Sequence, residues 1–347
     1  MATNSIIADL RSDTVTKPTA AMHAHMMSAS VGDDVFGEDP SIHELEHYAA
    51  ALFGKEAALF CPSGTMTNQI AIKLHTQPGD ELLCDANAHI YNYEGGGISF
   101  NSGVQAKLLN GQEGRLSVEM IEANINADFD WLTRTSLVAL ENTVNRAGGS
   151  YYSLDQIRPI AALCREKGLA LHLDGARIFN ALTVTGESPS AAGEQFDTIS
   201  ICLSKGLGAP VGSLLIGTNA HIKKARKIRK VFGGGMRQAG FLAAAGLYAL
   251  KNHITRLSDD HQRAKELGKV LTEMPYVKTV LPVYTNIVIF HLQPELINGA
   301  TFENLMKERG VKISAFGKDT IRMVTHLDFT SDHLEHTIKS IQAVNKF

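Results

Sequence analysis

The segment LHLDGARIFN, residues 171–180, decides the fold. An apolar run ends here at Asp174, and a glycine, an alanine and Arg177 separate it from a second apolar run. A buried strand that ends in a carboxylate is typical of a parallel sheet covered by helices, in which ligands bind at the carboxyl ends of the strands. We therefore expect Asp174 at the edge of a ligand-binding crevice.

Short apolar runs alternate with helical patterns on both sides of this segment, between about residues 41 and 217. Because parallel strands need crossover connections, the alternation predicts an α/β fold with a mostly parallel, doubly wound sheet of about seven strands. The predicted strands are 57–60, 81–84, 105–109, 137–141, 170–173, 198–203 and 213–216.

Two helices of this region have predictable ends. Ser41 followed by Glu44 indicates a capping box that opens a helix ending at Gly54. Ser153 is predicted to begin a helix that ends near Gly168.

The character of the chain changes after Phe232. A glycine-rich turn at 233–235 leads into a long helical stretch, and strand-like runs at 278–281 and 287–292 follow. We predict a large domain with an N-terminal segment at 1–259 and a smaller C-terminal α+β domain at 260–347, since 347 residues exceed what one core usually organises.

The overall composition excludes several classes of protein. A net charge of −3 argues against nucleic acid as a partner, and the basic run at 223–230 is interpreted as a solvated helix face. The sequence contains neither a membrane-spanning run nor a signal pattern, so a cytoplasmic location is expected. The four cysteines lack the spacing of a metal or redox motif and are expected to be buried thiols. The His23–His25 pair is interpreted as a helix surface, and no metal is predicted.

A second informative segment is TISICLSKGLGAPVGSLL, residues 198–215. It places Ser204 and Lys205 directly after another apolar strand, on the same predicted sheet edge as Asp174. Taken singly, Asp174 could be a cap or a salt-bridge partner, and Lys205 could be a surface lysine. Taken together, a carboxylate for a protonated pyridine nitrogen and an inward-facing amine for a Schiff base predict pyridoxal phosphate (PLP).

Two further features fit this cofactor. Ser63, Gly64 and Thr65 precede a helix in PSGTMTNQIAIKL, residues 62–74, and free amides at a helix N-terminus favour a phosphate, although ordinary capping would use the same residues. His89 follows a predicted strand in the loop CDANAHIYNYEGGG, where an imidazole could stack on the pyridine ring or be a core histidine.

Along nearly its whole length the chain resembles the threonine aldolases of the aspartate-aminotransferase (type I) PLP fold. The motifs DLRSDTVT, GEDPS, ENT, LDGAR and SKGLGAPVGS, which begin at residues 9, 37, 141, 173 and 204, occur in the order typical of that family. The resemblance implies retro-aldol cleavage of L-threonine or L-allo-threonine to glycine and acetaldehyde. Another PLP reaction, such as β-elimination or transamination, and a catalytically silent PLP-binding protein remain as alternatives.

The resemblance also implies roles for individual residues. Lys205 would carry the cofactor, Asp174 would pair with its ring nitrogen, and His89 would stack on the ring. The substrate carboxylate would be held by Ser12, Arg177 and Arg322. The remaining cofactor-binding residues would be Ser63, Gly64, Thr65, Glu141, Ser204 and Arg237, of which Arg237 reaches the phosphate of a neighbouring subunit in a homodimer or homotetramer.

Two positions depart from the family pattern. Phe36 replaces a tyrosine in GDDVFGEDP, residues 32–40, and Trp131 stands where relatives often have a histidine near the hydroxyl group of the substrate. These departures leave open which of threonine and allo-threonine is preferred. The candidate base for the hydroxyl proton is His89, acting directly or through a water.

Overall fold

The computed structural model of the protein describes residues 7–344. Its helices are α1 (Ala20–Met27), α2 (Pro40–Leu52), α3 (Gly64–His75), α4 (His89–Asn92), α5 (Gly97–Ser102), α6 (Val118–Glu122), α7 (Leu154–Lys167), α8 (Ile178–Thr185), α9 (Pro189–Gly193), α10 (Asn219–Val231), α11 (Gly240–Asn252), α12 (Leu257–Thr272), α13 (Gly299–Glu308) and α14 (Ser331–Ala343). Its strands are β1 (Ala8–Asp9), β2 (Ala57–Cys61), β3 (Glu81–Asp85), β4 (Gln105–Leu109), β5 (Thr135–Glu141), β6 (Ala170–Gly175), β7 (Thr198–Cys202), β8 (Ser213–Gly217), β9 (Val277–Val280), β10 (Ile287–Leu292), β11 (Val311–Lys312), β12 (Ser314–Ala315) and β13 (Thr320–Val324).

Strands β2 to β8 form a large sheet in the order β2-β8-β7-β6-β5-β3-β4. Strand β8 runs antiparallel to both of its neighbours, and the other neighbouring strands run parallel. The prediction of a mostly parallel sheet of about seven strands is therefore confirmed. Each predicted strand lies within two residues of its observed bounds at either end.

The two faces of the large sheet are covered by separate groups of buried apolar residues. One group includes residues of α2, α7, α8 and α11, and another includes residues of α3 and α10. Successive side chains of a strand point to opposite faces, and accordingly Leu59 packs in the second group while Phe60 packs in the first. Because both faces of the sheet are covered, every residue of β5 and β7 is buried, including the polar ones.

Helix α2 is capped by Asp39, so the predicted capping box from Ser41 to Glu44 is wrong. The Asp39 carboxylate accepts a hydrogen bond from the backbone N–H of Ile42 at 3.0 Å. Pro40 occupies the first helical position, where the missing N–H leaves no bond unmade. The Ser41 hydroxyl instead donates to a backbone carbonyl oxygen in the preceding loop.

Helix α7 has the predicted ends. Ser153 and Gln156 form a capping box at its start, and Gly168 ends it with a left-handed φ of +68°. A side chain is strained in that conformation, which is why glycine terminates the helix.

The basic run at 223–230 lies on α10, and its four lysines are exposed, as predicted, whereas Arg226 is half-buried and Arg229 is buried. Arg229 is buried, and its guanidinium donates to the Asp34 carboxylate and to the backbone oxygen of Phe60, both at 2.7 Å. It therefore anchors α10 to the edge of the large sheet.

The C-terminal part of the chain contains a four-stranded antiparallel sheet, the small sheet, in the order β12-β13-β10-β9. Strand β1, near the start of the chain, pairs in parallel with β11. The predicted division at 259/260 falls inside α12, which packs against β9 and β10 on one side and α8 on the other. The domain division itself stays a prediction.

Several smaller expectations also have an outcome. All four cysteines are buried and free. His23 and His25 are exposed on α1, as predicted. Within residues 7–344, every helix is too short or too polar to cross a lipid bilayer.

Candidate active site

A cavity of about 170 Å³ lies at the carboxyl ends of the parallel strands. A larger one of about 550 Å³ lies between α2 and α10, where Arg226 already pairs with Glu46, so size alone does not identify the site. The smaller cavity, called the strand-end cavity below, brings together residues predicted from separate segments. Its walls are formed by Ser63, Gly64, Thr65, Asn68, His89, Glu94, Asp174, Ala176, Cys202, Ser204 and Lys205.

Helix α3 begins at the wall of this cavity. The Ser63 hydroxyl caps the helix by accepting a hydrogen bond from the backbone N–H of Met66 at 3.2 Å. The amides of Gly64 and Thr65 belong to the first turn, where no intrahelical acceptor exists, so they are available to an anion. A Cβ atom on Gly64 would lie 2.6 Å from Sγ of Cys202, and glycine is therefore the residue that fits.

Asp174 lies at the next-to-last position of β6 and is only 3% exposed. Its carboxylate accepts hydrogen bonds from Asn68 Nδ2 at 3.0 Å and from the backbone N–H of Ala176 at 3.2 Å. Among residues 7–344, it forms no ion pair with a lysine, arginine or histidine. A buried carboxylate is costly without a cationic partner, so the site suits a ligand with a positive charge at this point.

Lys205 lies in the turn that follows β7 and borders the same cavity. Its backbone oxygen accepts hydrogen bonds from the Gly208 N–H at 2.8 Å and from the Thr16 hydroxyl at 3.0 Å, which fix the turn. Its amine forms no ion pair within the described part of the chain, yet its charge is near enough to act on Asp13 and His89.

His89 begins the short helix α4, rather than lying in an irregular loop, and contacts a buried acid. Its Nδ1 lies 3.1 Å from Oε1 of Glu94, which is fully buried. Burial by itself would lower the pKa of His89, but the hydrogen bond to Glu94 and the charges of Asp174 and Glu94 outweigh it and raise the pKa. The imidazole therefore holds a proton more readily than a free histidine does.

Glu141 ends β5, beside Asp174 in the neighbouring strand. Its two carboxylate oxygens accept from the backbone N–H of His89 at 2.7 Å and of Asn145 at 2.8 Å. Burial and the like charge of Asp174 raise the pKa of Glu141 to about 7. Glu141 thus fixes two loops at the sheet edge from behind the strand-end cavity.

Asn68 connects Asp174 to a row of buried polar groups. Its Nδ2 donates to Asp174 and also to Glu94 at 2.9 Å, and its Oδ1 lies 3.1 Å from His172 Nε2. Since the amide oxygen can only accept, Nε2 donates to it, while Nδ1 faces the hydroxyl and the backbone oxygen of Thr198 at 2.9 and 3.1 Å. Burial lowers the pKa of His172 to about 4, so this histidine is neutral near pH 7.

Arg177 forms a buried pair with Asp13, 164 residues earlier in the chain. Two hydrogen bonds of 2.8 and 2.7 Å join the guanidinium to the two carboxylate oxygens. Burial would raise the pKa of Asp13, but the charge and hydrogen bonds of Arg177 lower it to about 2. Arg177 lies beside the strand-end cavity, next to Ala176 in its wall.

Arg322 lies in β13 of the small sheet and reaches the loops of the large sheet. Its guanidinium donates to Oδ1 of Asn145 at 2.9 Å and to the backbone oxygen of Arg11 at 3.1 Å. Its Nε is buried without a hydrogen-bond partner in residues 7–344, and burial lowers the pKa of Arg322 to about 10. A largely buried cation whose partners here are neutral is suited to receive an anion.

Ser12 and Arg237 stand outside the walls of the strand-end cavity. The Ser12 hydroxyl accepts from the backbone N–H of Thr14 at 3.2 Å and caps a short turn that begins at Asp13. Arg237 is exposed, pairs with Asp33 at 2.9 Å, and lies over the ring of Phe36.

Trp131 is exposed and stacks on Phe129, with ring centroids 4.9 Å apart. Its loop precedes β5 and therefore lies at the amino end of that strand, opposite the strand-end cavity of the same chain.

Four residues that the sequence did not single out complete the site: Asp13, Asn68, Glu94 and Asn145. Asn68 had a local signal, since it lies one helical turn after Gly64 and shares its face of α3. Glu94 had a weaker one, five residues after His89. The partners of Asp13 and Asn145, by contrast, are distant in sequence.

The arrangement fits PLP on the chemistry of its donor groups. The cavity combines a buried carboxylate, Asp174, and an amine, Lys205, neither of which has an ion-pair partner in residues 7–344, with free amides at the start of α3. These match the three features of the cofactor that need partners, namely a protonated ring nitrogen, an aldehyde and a phosphate. The ligand atoms of His89, Glu94 and Asp174 also lie within 4.8 Å of one another, as a metal site would require, but Asn68 already donates to both carboxylates.

Comparison with known proteins agrees with this chemistry. Residues 9–295 match the family described as β-eliminating lyase. The low specificity L-threonine aldolase of Escherichia coli (strain K12) is 43% identical over 94% of this chain and 96% of its own length. The low-specificity L-threonine aldolase 1 of Arabidopsis thaliana is 39% identical over 96% and 95%. A solved threonine aldolase from Leishmania major has the same fold, with a TM-score of 0.83 at 21% identity over 97% of this chain and 99% of its own. The chain therefore belongs to the β-eliminating lyase family and shares a family with these low-specificity L-threonine aldolases.

Proposed function

We propose that the protein is a PLP enzyme that cleaves L-threonine, L-allo-threonine and related β-hydroxy-α-amino acids to glycine and an aldehyde. The observation that carries the proposal is the strand-end cavity, where Asp174 and Lys205 lie without ion-pair partners beside the first amides of α3. The relatives at 39–43% identity favour this reaction over others on the same fold.

In this proposal, Lys205 holds the cofactor through its amine and Asp174 faces the ring nitrogen. The phosphate is held by the amides of Gly64 and Thr65, with the hydroxyls of Ser63 and Ser204 beside them. When bound, the cofactor supplies an electron sink for the electron pair of the Cα–Cβ bond that breaks. The chain keeps the Asp174 carboxylate fixed through Asn68, so that it meets the ring nitrogen without rearrangement.

The substrate carboxylate is held by Arg322, Ser12 and Arg177. Arg322 offers a planar guanidinium with a buried, unsatisfied Nε, which suits a carboxylate gripped at two oxygens. Ser12 and Arg177 lie in the same region through Asp13 and complete the grip. Fixing the carboxylate fixes which bond at Cα stands perpendicular to the cofactor ring, and so which bond breaks.

His89 is the proposed base for the β-hydroxyl proton. Because Nδ1 faces Glu94, the proton is taken at Nε2, and the Glu94 carboxylate stabilises the imidazolium that results. Glu141 holds the backbone of His89 and thereby the position of the ring.

We also propose that the protein is a cytoplasmic homodimer or homotetramer with shared sites. Arg237 supports this, because it is exposed and lies outside the cavity of its own chain. The family resemblance implies that it reaches the phosphate bound in a neighbouring subunit.

The decisive test is to incubate the purified protein, loaded with PLP, with L-threonine and separately with L-allo-threonine. Formation of glycine and acetaldehyde in equal amounts supports the proposal. Release of ammonia with an oxo acid would identify β-elimination, and an amino-acceptor requirement would identify transamination. A bound-cofactor spectrum without turnover of any β-hydroxy-α-amino acid would identify a silent binding protein.

A further inference from the structure

The substrate side of the site carries more positive than negative charge. The guanidiniums of Arg177 and Arg146 lie close enough to act on that of Arg322, and Asp13 is the carboxylate that acts on Arg322 in the opposite sense. Asp13 is fully engaged by Arg177 through two hydrogen bonds. The α-carboxylate of a substrate would therefore compensate Arg322 and leave Arg146 without an anion.

Arg146 is held in place by aromatic groups. Its guanidinium carbon lies 4.5 Å from the centre of the Phe316 ring and 6.0 Å from that of Tyr93, and Nη1 donates to the Tyr93 hydroxyl. The side chain is exposed, and within residues 7–344 it forms no ion pair with an aspartate or glutamate. These contacts orient the charge without neutralising it.

Two acids in the neighbouring segments already have partners. Glu113 lines a neighbouring cavity with Arg146, but its carboxylate pairs with Arg115 at 2.5 Å and accepts from the Tyr284 hydroxyl. Glu141 accepts from two backbone amides, and its pKa of about 7 leaves it only partly ionised near neutral pH. Neither acid is placed to compensate Arg146.

Arg146 lies near the residues proposed to bind two different groups of the substrate, the α-carboxylate and the β-hydroxyl. It follows Asn145, the acceptor of Arg322, and both arginines lie against the same phenyl ring, at 4.5 and 4.7 Å. On the other side, the Tyr93 ring that contacts Arg146 lies 5.5 Å from the His89 ring. Ring contacts therefore connect Arg146 both to the residue proposed to hold the α-carboxylate and to the residue proposed to act on the β-hydroxyl. A substituent on Cβ of the substrate would extend toward this group of residues.

From this juxtaposition we propose that Arg146 is a specificity-determining residue that binds an anionic group on Cβ of the substrate. The preferred class would be β-hydroxy-α-amino acids with a second carboxylate, of which β-hydroxy-L-aspartate is the smallest. The inference rests on the proposed retro-aldol function and names its substrate class.

The reaction on this substrate balances without a co-reactant. The Cα–Cβ bond breaks, the β-hydroxyl loses its proton and becomes the aldehyde carbonyl of glyoxylate, and Cα gains a proton to give glycine. The second carboxylate leaves unchanged on glyoxylate.

Binding can be tested without cleavage by using L-aspartate and its uncharged isostere L-asparagine, neither of which has a β-hydroxyl. Each is titrated into the PLP-loaded protein, and binding is followed by the absorbance of the bound cofactor. The wild type should bind aspartate at least about tenfold more tightly than asparagine. In Arg146→Gln that ratio should fall about tenfold, and in Tyr93→Phe, which removes the hydroxyl that orients Arg146, it should fall less. The matched control is Arg158→Gln, which removes an exposed arginine on α7 and should leave the ratio unchanged.

Turnover provides the second measurement. The ratio of kcat/KM for β-hydroxy-L-aspartate, tested as each diastereomer, to kcat/KM for L-threonine should fall about tenfold in Arg146→Gln. If threonine is cleaved but neither ratio responds to Arg146→Gln, the inference is overturned while the proposed function stands. If the aspartate preference depends on Arg146 but no hydroxy amino acid is cleaved, the proposed function fails and the anion site stands.

Discussion

The side-chain amide of Asn68 donates a hydrogen bond of 3.0 Å to the carboxylate of Asp174. The same amide group donates to Glu94, while its oxygen is bound by the neutral His172. One amide thus sets the orientation of the acid that faces the cofactor ring and of the acid that faces His89.

Replacing Asn68 with alanine should weaken PLP binding about tenfold or more. A hydrogen bond to a buried charged group is worth about 1.5–3 kcal/mol, and the change leaves Asp174 and Glu94 without their shared donor. Titration of the apoprotein with PLP, followed by absorbance, measures the effect. Asn252→Ala, which removes an exposed amide at the end of α11, is the control and should bind PLP normally. Equal affinities of Asn68→Ala and wild type would contradict the assigned role.

Lys205→Ala should lose both the absorbance of the protein-linked cofactor and nearly all turnover of L-threonine. The reason is that, among residues 7–344, Lys205 is the lysine that lines the strand-end cavity. Lys269→Ala, on the exposed surface of α12, serves as the comparison and should retain both signals. An active Lys205→Ala protein would refute the assignment of the cofactor lysine.

Asp13→Asn should destabilise the protein by about 3–5 kcal/mol, because Arg177 stays buried without its anion. The pKa of Asp13 is about 2 in the folded protein, below its ordinary value of 3.8. Its contribution to stability is therefore fully present above about pH 4 and is lost as the pH falls toward about 2. Urea unfolding at neutral and acidic pH measures both effects. Asp155→Asn, which breaks the exposed pair with Arg158, should cost less than about 1 kcal/mol.

Glu94→Gln should shift the acid limb of the kcat/KM profile for L-threonine to lower pH. If His89 is the base, activity falls as the ring becomes protonated, and in the wild type Glu94 helps to raise the pKa of His89. Removing that carboxylate lowers the pKa of His89, so the neutral base persists to lower pH. The profile of Glu335→Gln, an exposed substitution on α14, should coincide with that of the wild type. An unmoved limb in Glu94→Gln would assign the titration to another group.

The strands of the large sheet could be predicted from the sequence because each contains a short, predominantly apolar run between helical patterns. The run 198–203, for example, differs from β7 by a single residue. The start of α2 was harder, since Ser41 has the composition of a cap. Asp39 caps the helix instead, because its carboxylate also accepts hydrogen bonds from the backbone N–H groups of Gly32 and Gly240. A local sequence pattern does not contain these contacts.

In the site, too, some residues could be placed from local sequence patterns, whereas others depend on contacts between segments that are distant in sequence. Lys205, Asp174 and the start of α3 follow apolar strands, and the rule that strand ends share one sheet edge brings them together. The pairing of Arg177 with Asp13 and the approach of Arg322 to Asn145 depend on how distant segments pack. Sequence reasoning could therefore name these arginines by resemblance but could not find the groups that hold them.

The pairing of β1 with β11 places residues 8–9 beside residues 311–312, and Arg322 binds the backbone of Arg11 just beyond β1. The walls of the strand-end cavity, by contrast, come from residues between Ser63 and Lys205. During translation, every residue of the cofactor pocket therefore emerges from the ribosome before Arg322 is made. A nascent chain can shape the place for its cofactor well before it can recognise an amino acid.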